Sequence, residues 1–158
     1  MVKTKGFYEE LEKLRKNDSE ANFGFLKNIN TKIYIKAIDF LHGLCTVFAY
    51  ALHREFGYDI YSIYDEDGII VHAYCAVLNG EETVYVDVRG CTTDFVLFMD
   101  EFNESDDTTE NYYKSLTIRK DTLVAEKAME NTNIKEEDRP ILSAAKEIIR
   151  KYKEYYQV

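Results

Sequence analysis

The stretch IIVHAYCAVLNGEETVYVDVRG, Ile69 to Gly90, constrains this chain more than any other. Two runs rich in Val, Ile and Tyr flank the dipeptide Asn79-Gly80, the favoured centre of a two-residue type I′ hairpin, because asparagine and glycine tolerate the positive φ that such a turn demands. Pairing across that turn sets Leu78 opposite Glu81, Cys75 opposite Val84 and His72 opposite Asp87. The faces then separate: Ala73, Cys75, Val77, Val84 and Val86 line an apolar side, while His72, Tyr74, Tyr85 and Asp87 share the other. Directly opposed residues hold their Cβ atoms about 4.5 to 5.5 Å apart, so imidazole and carboxylate become hydrogen-bonding partners. A four-residue loop, Asn79 to Glu82, sets Tyr74 opposite Asp87 instead and makes Asp87 a diagonal neighbour of His72. An odd-length loop without a bulge puts the two on opposite faces. An acid inside the apolar run VYVDVR needs a partner, and His72 and Arg89 are the two candidates.

Just upstream, Val47, Phe48, Ala51, Leu52 and Phe56 fall on one helical stripe, and Gly57 supplies the left-handed stop that helices often use. Cys45 then lies in the first turn, where the positive end of the macrodipole and free backbone N–H groups favour a thiolate. The same N–H groups suit an oxyanion forming on an attacked carbonyl, with His42 as a further donor. Gly43 allows a tight entry and leaves room for substrate. Tyr74 and Tyr85 are candidate liners of a substrate cleft. These parts fill the roles of thiol catalysis: Cys45 attacks, His72 takes and returns a proton, and Asp87 holds the imidazole tautomer and stabilises the imidazolium. The expected chemistry is acyl transfer, with no cofactor and no metal.

The order of a cysteine at a helix start in GLCTVFAYAL, a histidine strand VHAYCAVL and an aspartate strand VYVDVRG resembles the papain-like cysteine enzyme superfamily. The likeness is stronger to its transglutaminase-like and arylamine N-acetyltransferase-like branches than to papain itself. A looser likeness is to small uncharacterised bacterial and phage proteins with a G-x-C helix and a D-x-R-G strand. The resemblance implies a papain-like fold with Cys45 as nucleophile, His72 as base and Asp87 as orienting acid. The chain departs from it in having no tryptophan, with Thr46 after Cys45 where transglutaminase-like cores commonly carry an aromatic residue.

The rest of the chain supplies a frame. Phe7, Leu11 and Leu14 predict an amphipathic first helix, while Ile33, Ile35 and Ile38 fit neither the helical nor the strand period well. YDIYSIYD reads as a strand, TTDFVLFMDEF as a threonine-capped helix, YYKSLTIRK as a further strand, and DTLVAEKAMEN and DRPILSAAKEIIRKYKEYY as helices. The fold class is α+β: a short antiparallel sheet packed against a central Cys-bearing helix and flanking helices, in one domain over 1–158. His53 falls on the surface of the Cys-bearing helix.

Composition bounds the partners. A net charge of −9 disfavours nucleic acid, which needs clustered lysine and arginine. Three cysteines without paired spacing make neither a disulfide framework nor a zinc knuckle, so Cys75 and Cys91 are structural and a reducing compartment is expected. Neither an apolar leader nor a span of about eighteen apolar residues occurs, which predicts a cytoplasmic protein without a membrane segment. The partner is then a protein or small-molecule acyl substrate. The segment MDEFNESDDTTE, with Asp100, Glu101, Glu104, Asp106 and Asp107, raises an alternative. In that reading the protein is a non-catalytic mobile-element or phage factor whose acidic surface blocks a basic host protein.

Overall fold

The computed structural model describes residues 3–11, 37–130 and 140–158. Its frame is a six-stranded sheet in which every neighbouring pair is antiparallel. The strands are β1 (Thr4–Gly6), β2 (Asp59–Tyr64), β3 (Ile70–Asn79), β4 (Glu82–Asp87), β5 (Gly90–Thr92) and β6 (Thr117–Lys120), in the order β1-β5-β4-β3-β2-β6. β3 is central, flanked by β4 and β2.

The hairpin forms one step away from the expected register. Asn79 pairs with Glu82 and Cys75 with Val86, so the turn residues are Gly80 and Glu81. Gly80 takes the first turn position with φ +68°, a value both primed turns require there. The shift moves each partner by two residues and therefore keeps every side chain on its expected face. Continued along the strands, this register sets Tyr74 beside Asp87 and leaves His72 on the diagonal, as the four-residue loop requires.

Helix α1 (Cys45–Phe56) lies against the apolar face of the sheet, where the Cys75 thiol donates to the Ala49 carbonyl at 3.3 Å. Phe48, Ala49, Ala51 and Leu52 are buried there, and the helix ends at Gly57, whose φ of +75° and N–H bond to the His53 carbonyl complete the stop. Five further helices follow: α2 (Phe95–Asp100), α3 (Thr109–Lys114), α4 (Thr122–Glu130), α5 (Pro140–Lys151) and α6 (Lys153–Tyr156). α5 packs on α1 through a stripe that buries Leu142, Ala145, Ile148 and Ile149.

Several details differ from expectation. α2 is capped by Asp94, whose side chain accepts from the Leu97 N–H, rather than by a threonine. The YYK of the expected strand ends helix α3, and only Thr117–Lys120 pairs, on the outer edge of β2. His53 bridges the Tyr58 carbonyl at 2.7 Å and the Glu126 carboxylate at 2.8 Å, tying α1 to α4 instead of facing solvent. Residues 8–11 are helical, and Leu14, Ile33 and Ile35 lie outside the described residues. No helix among the described residues is long and apolar enough to cross a membrane.

Candidate active site

Asp87 ends β4 in a fully buried polar cluster. His72 Nε2 donates to its Oδ2 at 2.9 Å, and Arg89 grips the same carboxylate through its backbone N–H at 2.9 Å, Nε at 3.1 Å and Nη2 at 2.7 Å. Sequence left His72 and Arg89 as rival partners for Asp87; the carboxylate takes both. Arg89 is itself enclosed, with Nη2 on the Phe98 carbonyl and its guanidinium over the Tyr8, Phe98 and Phe102 rings. Burial alone raises a carboxyl pKa, yet Arg89 and His72 hold Asp87 far below the ordinary carboxylate range. An ionised Asp87 can only accept, so the Nε2 proton belongs to histidine and the remaining nitrogen, Nδ1, is the free basic position.

Nδ1 is buried and has no hydrogen-bond partner of its own. The group beside the ring is the Cys45 thiol. Burial pushes that thiol pKa up, but the neighbouring His72 imidazole and the backbone N–H groups of Ala73 and Thr46 bring it below the ordinary value. His72 moves the other way: burial lowers its pKa, and Asp87 and Cys45 more than restore it. The two shifts run in the directions expected where each group favours the charged form of the other.

The start of α1 adds a second element. Leu44 occupies its cap position without a side-chain cap bond, whereas Asp94 and Thr108 cap α2 and α3 with their own oxygens. The first-turn N–H groups around Cys45 are thus not consumed by a capping oxygen of that residue. Gly43, two residues before the thiol, has φ +105° and open space where a Cβ would stand.

Three sequence assignments need revision. His42 turns its Nε2 to Glu101 Oε1 at 3.2 Å and its ring edge to Phe102, on the wall of the cleft described below. Tyr74 is buried against Tyr61, Phe98 and Tyr85, and the half-buried Tyr85 packs on Phe95 and Phe98. Both tyrosines belong to the packing between sheet and α2 because the aromatic run Phe95–Phe98 settles on that face.

Phe102 is the residue the sequence reading missed. Its ring stacks on His72 at 4.3 Å, and its other surroundings form the wall of a cleft of about 470 Å³. Carboxylates from two distant segments meet in that cleft: Asp65, Glu66 and Asp67 from the turn after β2, and Glu101 and Glu104 from the segment after α2. A visible clue was DEDG between two strands, a charged turn close in sequence to the histidine. Of the acidic segment, Glu104, Asp106 and Asp107 are exposed, Asp100 accepts from Thr109, and Asp107 accepts from Asn111. Among the described residues no group of three or more His, Cys, Asp or Glu is arranged to hold a metal ion. No family model, curated protein or solved structure matches this chain.

Proposed function

We propose that this protein is a thiol-dependent acyl-transfer enzyme of papain-like, transglutaminase-like type, acting on an amide, isopeptide or thioester. The observation that carries the reading is one buried imidazole that meets Asp87 through Nε2 at 2.9 Å, keeps Nδ1 without a hydrogen-bond partner and neighbours the Cys45 thiol. Cys45 gives its proton to His72 Nδ1, and the thiolate attacks the carbonyl carbon. An S–C bond forms while the C=O π pair moves onto oxygen, and the N–H groups at the start of α1 donate hydrogen bonds to that oxyanion. On collapse, the bond to the leaving group breaks and the imidazolium returns its proton to the departing atom. Water or an amine then attacks the acyl-enzyme with His72 as base, and the thiolate leaves. Throughout, Asp87 stays ionised under Arg89 and keeps the tautomer fixed.

The test is iodoacetamide alkylation of Cys45 followed against pH, in the unaltered protein and in His72→Ala. Fast alkylation well below the free-thiol pKa of about 8.5, lost with His72, is expected. An ordinary thiol titration indifferent to His72 overturns the proposal. A second reading, a non-catalytic acidic protein bound to a basic partner, is favoured by one observation, the exposure of Glu104, Asp106 and Asp107 on a single segment. Neutralising those carboxylates then abolishes binding in a partner pull-down, while Cys45→Ser leaves it intact.

A further inference from the structure

We propose that the cleft beside His72 receives the lysine or arginine side chain of a peptide whose carbonyl Cys45 attacks, an inference that rests on the acyl-transfer reading above. The volume of about 470 Å³ falls within the roughly 300–1,000 Å³ of ordinary ligand pockets. Position ties it to the chemistry: Phe102 lines the cleft and also stacks on the His72 ring at 4.3 Å. An occupant therefore rests one ring away from the base.

The lining selects the occupant. Val71, Phe102 and Leu116 offer apolar surface to a methylene stem, and carboxylates from the two segments surround it at Asp65–Asp67 and at Glu101 and Glu104. Lysine and arginine have that same division, an apolar stem under a charged head, and Phe102 and Tyr112 add ring faces to a cation. No lysine or arginine is among the described residues lining the cleft, and His42, which does line it, is engaged by Glu101, so an anionic side chain is disfavoured. A bare metal ion is a poor match, because the carboxylates are too dispersed to chelate one.

The test uses three methanethiosulfonates on the full chain: a trimethylammonium-ethyl, a sulfonato-ethyl and a neutral methyl reagent, with the label located at Cys45 by mass spectrometry. In each case the thiolate attacks the sulfenyl sulfur, a disulfide forms and methanesulfinate leaves. The cationic reagent is expected to outpace the anionic one by about tenfold at low salt, and the ratio to collapse in Glu66→Gln/Glu104→Gln and at high ionic strength. Glu81→Gln/Glu82→Gln, at the hairpin tip, makes the same change in net charge and is expected to keep the ratio. A peptide thioester with lysine beside the reacting carbonyl is likewise expected to acylate Cys45 faster than its glutamate counterpart.

A ratio near one, a ratio indifferent to Glu66→Gln/Glu104→Gln, or equal acylation by the two peptides overturns the cleft proposal alone, provided that the neutral reagent reacts. A thiol inert to the neutral reagent overturns the enzyme reading and this inference with it.

Discussion

Cys45 and Cys75 are both buried, yet their surroundings make them different chemical objects. Cys75 sits on the inner face of β3 with its thiol on the Ala49 carbonyl, and burial, with the Asp59 and Asp87 charges, drives its pKa well above the usual thiol value. Cys91, on β5, is pushed up to about 12 for the same reason. Cys45 pays a desolvation penalty as well, but an imidazole and two backbone N–H groups outweigh it. Burial by itself silences a thiol; burial beside a group that can carry the complementary charge activates one.

The largest expected effect is all-or-none. Cys45→Ser should remove iodoacetamide incorporation by the folded protein near pH 7, whereas Cys75→Ser and Cys91→Ser should leave the labelled site unchanged on peptide mapping. Next comes His72→Ala, which strips Cys45 of its partner. Its alkylation rate at pH 6 should drop by about a hundredfold, as expected for a thiol returning toward a pKa of about 8.5.

Asp87→Asn leaves the Arg89 charge buried without its counterion. A loss of about 3–5 kcal/mol in urea unfolding is expected, a result that a loss below 1 kcal/mol would falsify. The sign with pH follows from the depressed Asp87 pKa: its contribution is complete above the unfolded value of about 3.9 and is lost as pH falls toward the folded one. Urea midpoints of the unaltered protein should therefore decline below pH 4, and more steeply than those of Asp87→Asn. The smallest effect sharpens the contrast from the Cys91 side. Gly90→Ala drives a Cβ into the Lys5 carbonyl at a φ of +119°, so about 1–3 kcal/mol is expected to be lost. As β1 loosens, slow alkylation of Cys91 should appear by mass spectrometry, with Cys45 still the faster thiol.

The hairpin, the Cys-bearing helix and the sharing of one face by His72 and Asp87 were legible because each rests on local periodicity and turn chemistry. The register was not, since Asn79-Gly80 and Gly80-Glu81 are both acceptable turn centres and only packing chooses between them. β1 and β5 escaped notice because three-residue strands show no alternation to read. The cleft was invisible for a different reason: Asp65–Asp67 and Glu101 meet only once the sheet has formed. Tyr74 and Tyr85 were assigned to a cleft for their chemistry, when the neighbouring Phe95 and Phe98 had already claimed their face.

The contact of Gly6 with Gly90 closes the sheet at β1 and β5, two segments joined by bonds such as Thr4 to Thr92, 88 positions apart in the chain. Phe7 also donates its N–H to the Arg89 carbonyl at 2.6 Å, and Tyr8 covers the guanidinium. During synthesis, then, residues 4–8 wait for the turn after β4 before they can dock. On the acyl-transfer reading, Cys45 relies on a finished His72–Asp87–Arg89 cluster, so the order of assembly delays its reactivity until those segments have docked.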